Sequence, residues 1–387
     1  MKILYDHQAF TLQYFGGVSK SFCELIKHFE NSIHCDISVE QTNNIHLLSS
    51  RLCQNLKPVR MDAKSFCRLF PFKGVGRLYT YSQKLFPFFN TAEVRNLHKS
   101  ISLLKAGNFD VFHPTFFDDY FLPYLGKKPF VLTIHDMMPE IFPQYFKSTD
   151  MQIVNKKKLA MKASAIIAVS NKTKEDLIRI LNIPDDKIHV VHHGGPIKEL
   201  VNQQSLFDFP YFLYMGVRSG YKNFLSLVQA FSLLPDRYKN VHLVCTGGKF
   251  TKEEELSFTR LGVADRIIHI FPSDSDMKTL YANAIAFVFP SLYEGFGMPI
   301  LEAYAYGCPT ILNNKSCFPE IAQDASVYFS SDGVSSDLSE RLVDAINWSL
   351  SERQTLVTKG YKRLTNFSWL ESSKKLASVY ESVLDRI

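Results

Sequence analysis

Short apolar runs alternate with longer amphipathic stretches along most of this chain. The runs at 3–5, 36–39, 111–113, 130–133, 165–169 and 188–191 are bounded by polar or turn residues. That is the pattern of strands in a buried parallel sheet. Between them, Val18, Phe22, Leu25, Ile26 and Phe29 recur at helical spacing. Ser170 is placed to cap a helix running to Leu181, stopped by the turn at Pro184. From 194 to 209 the rhythm lapses into Gly194, Gly195, Pro196 and polar residues without period, which reads as a linker. The pattern then restarts with strands predicted at 212–215, 241–246, 267–270, 286–289, 310–312 and 326–329. Helices fall between these strands, and three more close the chain near 335–350, 352–364 and 369–384. Alternation of this kind implies parallel sheets with crossover helices. Two restarts imply an α/β protein of two Rossmann-like βαβ domains, 1–197 and 198–366, with the cleft between them as the default ligand site.

Residues 291–302 carry the most chemistry. They follow the strand at 286–289 and lead into a helix predicted over 298–306, with Glu294, Gly295, Phe296 and Gly297 in the loop and Glu302 inside the helix. A strand, a glycine loop and a helix N-terminus make an anion site, because free N–H groups and the helix dipole point at the ligand. Carboxylates only accept hydrogen bonds, and a sugar offers several donors. The segment therefore suits a phosphate attached to sugars. After the strand at 212–215 come Gly216, Arg218 and Lys222. A guanidinium fork and a compact ammonium on one loop suit a diphosphate. His135 and Asp136 end the strand at 130–133, at the sheet edge that faces the cleft, and His113 ends another. Gly16 and Gly17 open the first amphipathic helix.

The run Tyr293-Glu294-Gly295-Phe296-Gly297-Met298-Pro299-Ile300-Leu301-Glu302-Ala303 resembles, without a gap, the glutamate–seven residues–glutamate signature of the retaining GT-B glycosyltransferases of family 4. The resemblance extends over nearly the whole chain through the glycine pair, the histidine strand and the cationic loop. It implies the GT-B fold, with a last helix at 367–387 crossing back onto the first domain. It implies transfer of a hexose from a nucleotide-diphosphate sugar, with retention, to a glycan or lipid-linked acceptor in O-antigen, capsule or lipopolysaccharide synthesis. Arg218 and Lys222 would hold the diphosphate in place of a metal, together with N–H groups around Gly297 and Met298, and Phe296 and Pro299 would belong to the same substrate-binding loop. Glu302 would bind the ribose and Glu294 the transferred sugar. His135 would lie beside that sugar, and Gly16 and Gly17 would face phosphate or acceptor. The base would be read near Phe271. The short spacing of Arg218 and Lys222 is similar to a subgroup of O-antigen and capsule enzymes, which implies GDP-mannose or else a UDP-sugar as donor. A nucleotide-sugar 2-epimerase of the same fold and a non-catalytic nucleotide-sugar or nucleic-acid binding protein are the alternatives.

Composition narrows the picture. The chain has 387 residues and is 46% hydrophobic and 21% charged, enough for two sizeable cores. Seven scattered cysteines without a CxxC pair argue for a reducing, cytoplasmic setting, and the short apolar start is no signal peptide. No dinucleotide fingerprint follows any strand, which argues against an NAD enzyme. Asp274 and Asp276 have the spacing of a metal pair, but their place after a strand reads as the cap of the next helix, with no metal expected. The window 51–105 holds eleven Lys or Arg against two acids, so it carries +9 and the remainder −3. Phe66, Phe70, Phe72, Tyr79, Tyr81, Phe86, Phe88 and Phe89 interleave with those charges. Such a segment favours an anionic membrane surface or nucleic acid. With a lipid-linked acceptor implied, the expectation is peripheral membrane contact and no nucleic acid.

Overall fold

A computed structural model describes residues 1–54, 56, 57, 59, 91–199, 201, 204–218, 220–331 and 336–386. Much of the basic aromatic window, 60–90 with all eight of its named aromatic residues, lies outside them.

Among the described residues twelve strands form, in the order the apolar runs predict. The N-terminal domain carries β1 (Lys2–Tyr5), β2 (His34–Ile37), β3 (Val111–His113), β4 (Val131–Ile134), β5 (Ala165–Ala168) and β6 (Ile188–Val190). Its strands pair in parallel as β2-β1-β3 and β4-β5-β6, and a single parallel bridge, Phe112 to Phe130, joins the two sets. The second strand starts two residues before its expected place. It is an edge strand with His34 and Asp36 exposed, so its apolar signal lies only at its end. The C-terminal domain carries β7 (Tyr211–Tyr214), β8 (His242–Cys245), β9 (Ile267–His269), β10 (Phe287–Phe289), β11 (Thr310–Asn313) and β12 (Val327–Phe329). These make one parallel sheet of order β12-β11-β10-β7-β8-β9. The order reverses between β7 and β10, and ligands of doubly wound sheets bind at that point, beyond the strands' carboxyl ends.

Helices cover both faces of each sheet, as buried strands require. The helix Asn171–Leu181 starts at Ser170, whose hydroxyl accepts the Thr173 N–H at 3.1 Å, and ends at Asn182 in the left-handed region. The helix Leu350–Leu364 closes the second domain, where Arg353 donates to the Ile285 and Ala284 carbonyls. The last helix, Trp369–Leu384, then leaves that domain and packs on the first. Trp369, Leu376, Val379, Tyr380 and Val383 join one core with Ile3, Tyr5, Phe22, Val111 and Val131. The Tyr380 hydroxyl lies 2.6 Å from both Tyr5 and His113, and Ser373 donates to the Leu25 carbonyl. Gly194 allows this return, because a side chain there would collide with the Trp369 backbone.

Candidate active site

The β7 and β10 loops stand at the switch point. After β10, Glu294 is nearly buried, and its backbone is held from both sides by Ser316: Glu294 N–H donates to the Ser316 hydroxyl at 3.1 Å, which donates back to the Glu294 carbonyl at 2.7 Å. Gly297 follows with φ of +91° and caps the helix Met298–Ala305, whose first turn contains Pro299. A left-handed backbone there favours glycine. Phe296 turns inward against His193, Phe367 and His192, so it is a packing residue of the domain junction.

After β7, the turn Gly220–Lys222 delivers Lys222 to Glu294, with Nζ 2.6 Å from Oε1. Burial alone would lower the Lys222 ammonium, but the charge of Glu294, helped by Tyr221 and Asp136, outweighs it and raises the value above the ordinary lysine range. The expected partnership of Arg218 with Lys222 is not what the structure shows. The two cations turn to opposite sides of β7, Lys222 toward the β10 loop and Arg218 toward the β8 loop. Arg218 donates to Glu254 at 2.9 Å and to the carbonyls of Thr246, Gly248 and Lys249 at 3.3, 2.7 and 2.8 Å, with its guanidinium over the Phe250 ring. Glu254 is itself part of the cap of the helix Lys252–Arg260. Arg218 thus ties two switch-side loops together, with its charge already spent on protein acceptors.

The N-terminal domain closes on these loops. A Cβ built on Gly295 would overlap the His135 carbonyl oxygen, so only glycine lets the two backbones meet. The Gly295 carbonyl accepts from the Ser170 hydroxyl at 2.6 Å, and the Tyr293 hydroxyl donates to buried Asp176 at 3.0 Å. The His135 ring stacks on His193 at 5.7 Å, and its Nε2 is buried with no hydrogen-bond partner among the described residues. Burial pulls its pKa down to about 4, against the opposing charge of Asp136, so the imidazole is neutral near pH 7. His113 is no cleft residue. Both its nitrogens are used, by Tyr380 at 2.6 Å and Thr133 at 2.9 Å, and burial takes it to about 3.

Gly16 caps the helix Gly17–Lys27, and a side chain at Gly17 would meet nothing. One turn on, Lys20 reaches across the cleft to Glu302, with Nζ 3.0 Å from Oε1. Burial opposes the charge on Lys20, but Glu302 raises it overall. Phe271 stands 67% exposed beyond β9, with its ring edge on His269. Ser273 caps the helix Asp274–Asn283 in a reciprocal box with Asp276. Among the described residues no group of three or more His, Cys, Asp or Glu is arranged to hold a metal ion, and no helix is long and apolar enough to cross a membrane.

The arrangement is a cleft between two Rossmann-like domains, with an ammonium–carboxylate pair and a glycine-capped helix at the switch point. The group 1 glycosyl transferase family model matches residues 197–364, and the glycosyltransferase family 4 model matches residues 43–197. The chain belongs to the group 1, family 4 glycosyltransferases. O-antigen chain mannosyltransferase B of Escherichia coli is 27% identical to this glycosyltransferase over 282 residues, which span 68% of this chain and 72% of that one. O-antigen chain mannosyltransferase RfbU of Salmonella typhimurium is 26% identical over 251 residues, spanning 63% and 69%. Among solved structures, Anabaena Alr3699/HepE in complex with UDP and glucose superposes with a TM-score of 0.69 at 16% identity, covering 99% of this chain and 100% of that one. The lipopolysaccharide outer core galactosyltransferase WaaB, in its apo form, does so with 0.63 at 16%, covering 99% of each. Those likenesses show the fold: the glycosyltransferase has the GT-B architecture that its motifs imply.

The sequence reading missed Lys20 and Glu254, and it placed Asp136 at the cleft edge without giving it a role. Lys20 had a signal, since it lies one turn after a glycine pair that opens a helix. Glu254 had none, because nothing local ties it to Arg218, 36 residues earlier.

Proposed function

We propose that this chain transfers a hexose from a nucleotide-diphosphate sugar, with retention of the anomeric configuration, to a glycan or lipid-linked acceptor of a cell-surface polysaccharide. The Lys222–Glu294 pair at the switch point, next to the Gly295 that meets the His135 carbonyl, carries the reading. A donor can replace both partners at once. Its diphosphate takes Lys222 and the helix start at Met298, and its sugar hydroxyls take Glu294. Glu302 exchanges Lys20 for the ribose. The neutral His135 lines the sugar. Lys222 and the helix dipole balance the leaving charge, so the reaction needs no metal. Arg218 acts by holding the β7 and β8 loops. GDP-mannose is the favoured donor, because the curated relatives are named mannosyltransferases. A UDP-sugar is the second candidate, because a fold neighbour holds UDP and glucose. In this reading the transfer runs at the cytoplasmic face of the membrane, and the +9 charge of the window 51–105 supports contact with anionic lipid there.

Thermal stability with UDP, GDP, ADP and dTDP and their sugar conjugates, without added metal and with a chelator present, tests this. A ligand at about 100 times its dissociation constant adds roughly 2.7 kcal/mol. A preference for one nucleotide, followed by NMR of the anomeric proton of the transferred sugar, is the expected result. No shift with any nucleotide removes the donor site, and an inverted product removes retention.

A further inference from the structure

We propose that Asp136 is the acceptor-side carboxylate of this cleft, taking a hydroxyl of the sugar that receives the transferred hexose. This rests on the transferase reading above. Asp136 follows His135 at the carboxyl end of β4, on the N-terminal side of the cleft. Its Oδ1 accepts the Met138 N–H at 3.0 Å, which fixes the side chain, and its other oxygen has no hydrogen-bond partner among the described residues. A Cβ built on Gly295 would lie 3.0 Å from the Asp136 Cβ, so this side chain leaves the backbone directly against the Glu294 loop. Its charge reaches Lys222, Tyr221 and Tyr293 of the opposite domain. Among the described residues Lys222 has one hydrogen-bond partner, Glu294.

The position is braced from behind. Lys156, in the helix Met151–Lys162, has no exposed side-chain surface, and its ammonium donates to the Asp136 carbonyl at 3.1 Å and to Glu140 at 2.9 Å. A buried ammonium is costly unless it is paired. Here part of that pairing holds the backbone of the residue after His135. A solvated loop needs no such support.

Charge selects the ligand. A carboxylate accepts hydrogen bonds and repels phosphate. The donor diphosphate therefore belongs with Lys222 and the helix Met298–Ala305, and a hydroxyl belongs with Asp136. Glu294 already serves the donor sugar in the same cleft, which leaves the carboxylate from the opposite domain for the acceptor.

Asp136→Asn tests the assignment, because the amide oxygen still receives the Met138 N–H while the free oxygen becomes a donor. With GDP-mannose and octyl α-mannoside, the acceptor KM should rise about tenfold or more, as losing a hydrogen bond to a charged group does. The donor KM and the thermal shift with GDP should stay within about twofold. An unchanged acceptor KM, or an equal rise in donor KM, overturns the proposal. If Asp136→Asn does not fold, Asp136→Glu must still raise the acceptor KM, because the carboxylate moves by one methylene. Wild-type turnover with this pair belongs to the proposed function. Where there is none, saturation-transfer NMR of octyl α-mannoside on the GDP-loaded protein reads Asp136 alone. Signal in the wild type and its loss in Asp136→Asn is expected. Equal signal in both, or none in either, overturns the assignment.

Discussion

Each domain presents a switch point to the cleft, and the two are equipped in opposite ways. Between β1 and β3 stands Asp6, wholly buried. Its Oδ1 accepts from Thr115 N–H and hydroxyl at 2.8 and 2.6 Å and from Gln8 N–H at 3.3 Å. Its Oδ2 accepts from the Gln8 side chain at 2.7 Å and from Tyr120 at 3.3 Å. Between β7 and β10 stands Glu294, whose carboxylate has Lys222 as its one hydrogen-bond partner among the described residues. A carboxylate saturated by its own loops knits the sheet edge together. A carboxylate facing one cation from another loop can exchange that partner for a ligand without loss of the fold. The same contrast separates Arg218, spent on four protein acceptors, from Lys222.

The comparison breaks most visibly at the two carboxylate sites. Lys222→Met should lower turnover by about 10² or more while leaving the melting temperature within a few degrees, since it removes charge stabilisation and not a core. Steady-state kinetics beside a thermal melt separates the two effects. Asp6→Ala should do the reverse. It strands buried donors on Gln8 and Thr115, at about 3 kcal/mol of stability, with turnover per folded molecule close to wild type. Urea unfolding and active-site titration check it, and a folded but inactive Asp6→Ala would make the first switch point a ligand site too.

Protonation sharpens the contrast between buried framework and open site. His113 and His135 are held neutral by burial, at about 3 and about 4 against an ordinary 6.5. Between about pH 6.5 and those values the unfolded chain binds more protons than the folded one, so stability falls as pH drops. Each contributes about 1.4 kcal/mol per pH unit in that window and nothing above it. Melting temperatures should be flat above about pH 7.5 and fall below about pH 6.5, and His113→Gln should reduce the slope. The smallest effect belongs to Lys20→Met. The Lys20–Glu302 pair is 36% and 23% exposed, so its loss should cost less than about 1 kcal/mol. A donor KM altered only a few-fold, measured at two salt concentrations, would fit.

What the chain made legible follows from how locally each feature is written. Parallel strands buried on both faces are contiguous apolar runs, so β1 and β3–β12 fall within a residue or so of their expected places. The exposed edge strand β2 was offset, because exposure blurs its signal. The β10 loop was legible because Glu294, the glycines and the helix start are adjacent in sequence. The Lys222–Glu294 pair, 72 residues apart, and the Lys20–Glu302 pair, 282 apart, are products of packing. His113 was misplaced for the same reason: its strand end suggested the cleft, but Tyr380, 267 residues later, returns to cover it.

The central claim is that the second switch point, and Lys222 in particular, holds the donor. Titration calorimetry of GDP-mannose and UDP-glucose into the wild type and Lys222→Met, with chelator present, tests it most directly. The account predicts that one donor binds the wild type and binds Lys222→Met at least about tenfold more weakly, in line with loss of a charge-assisted contact to phosphate. Equal affinity in the two proteins would contradict it.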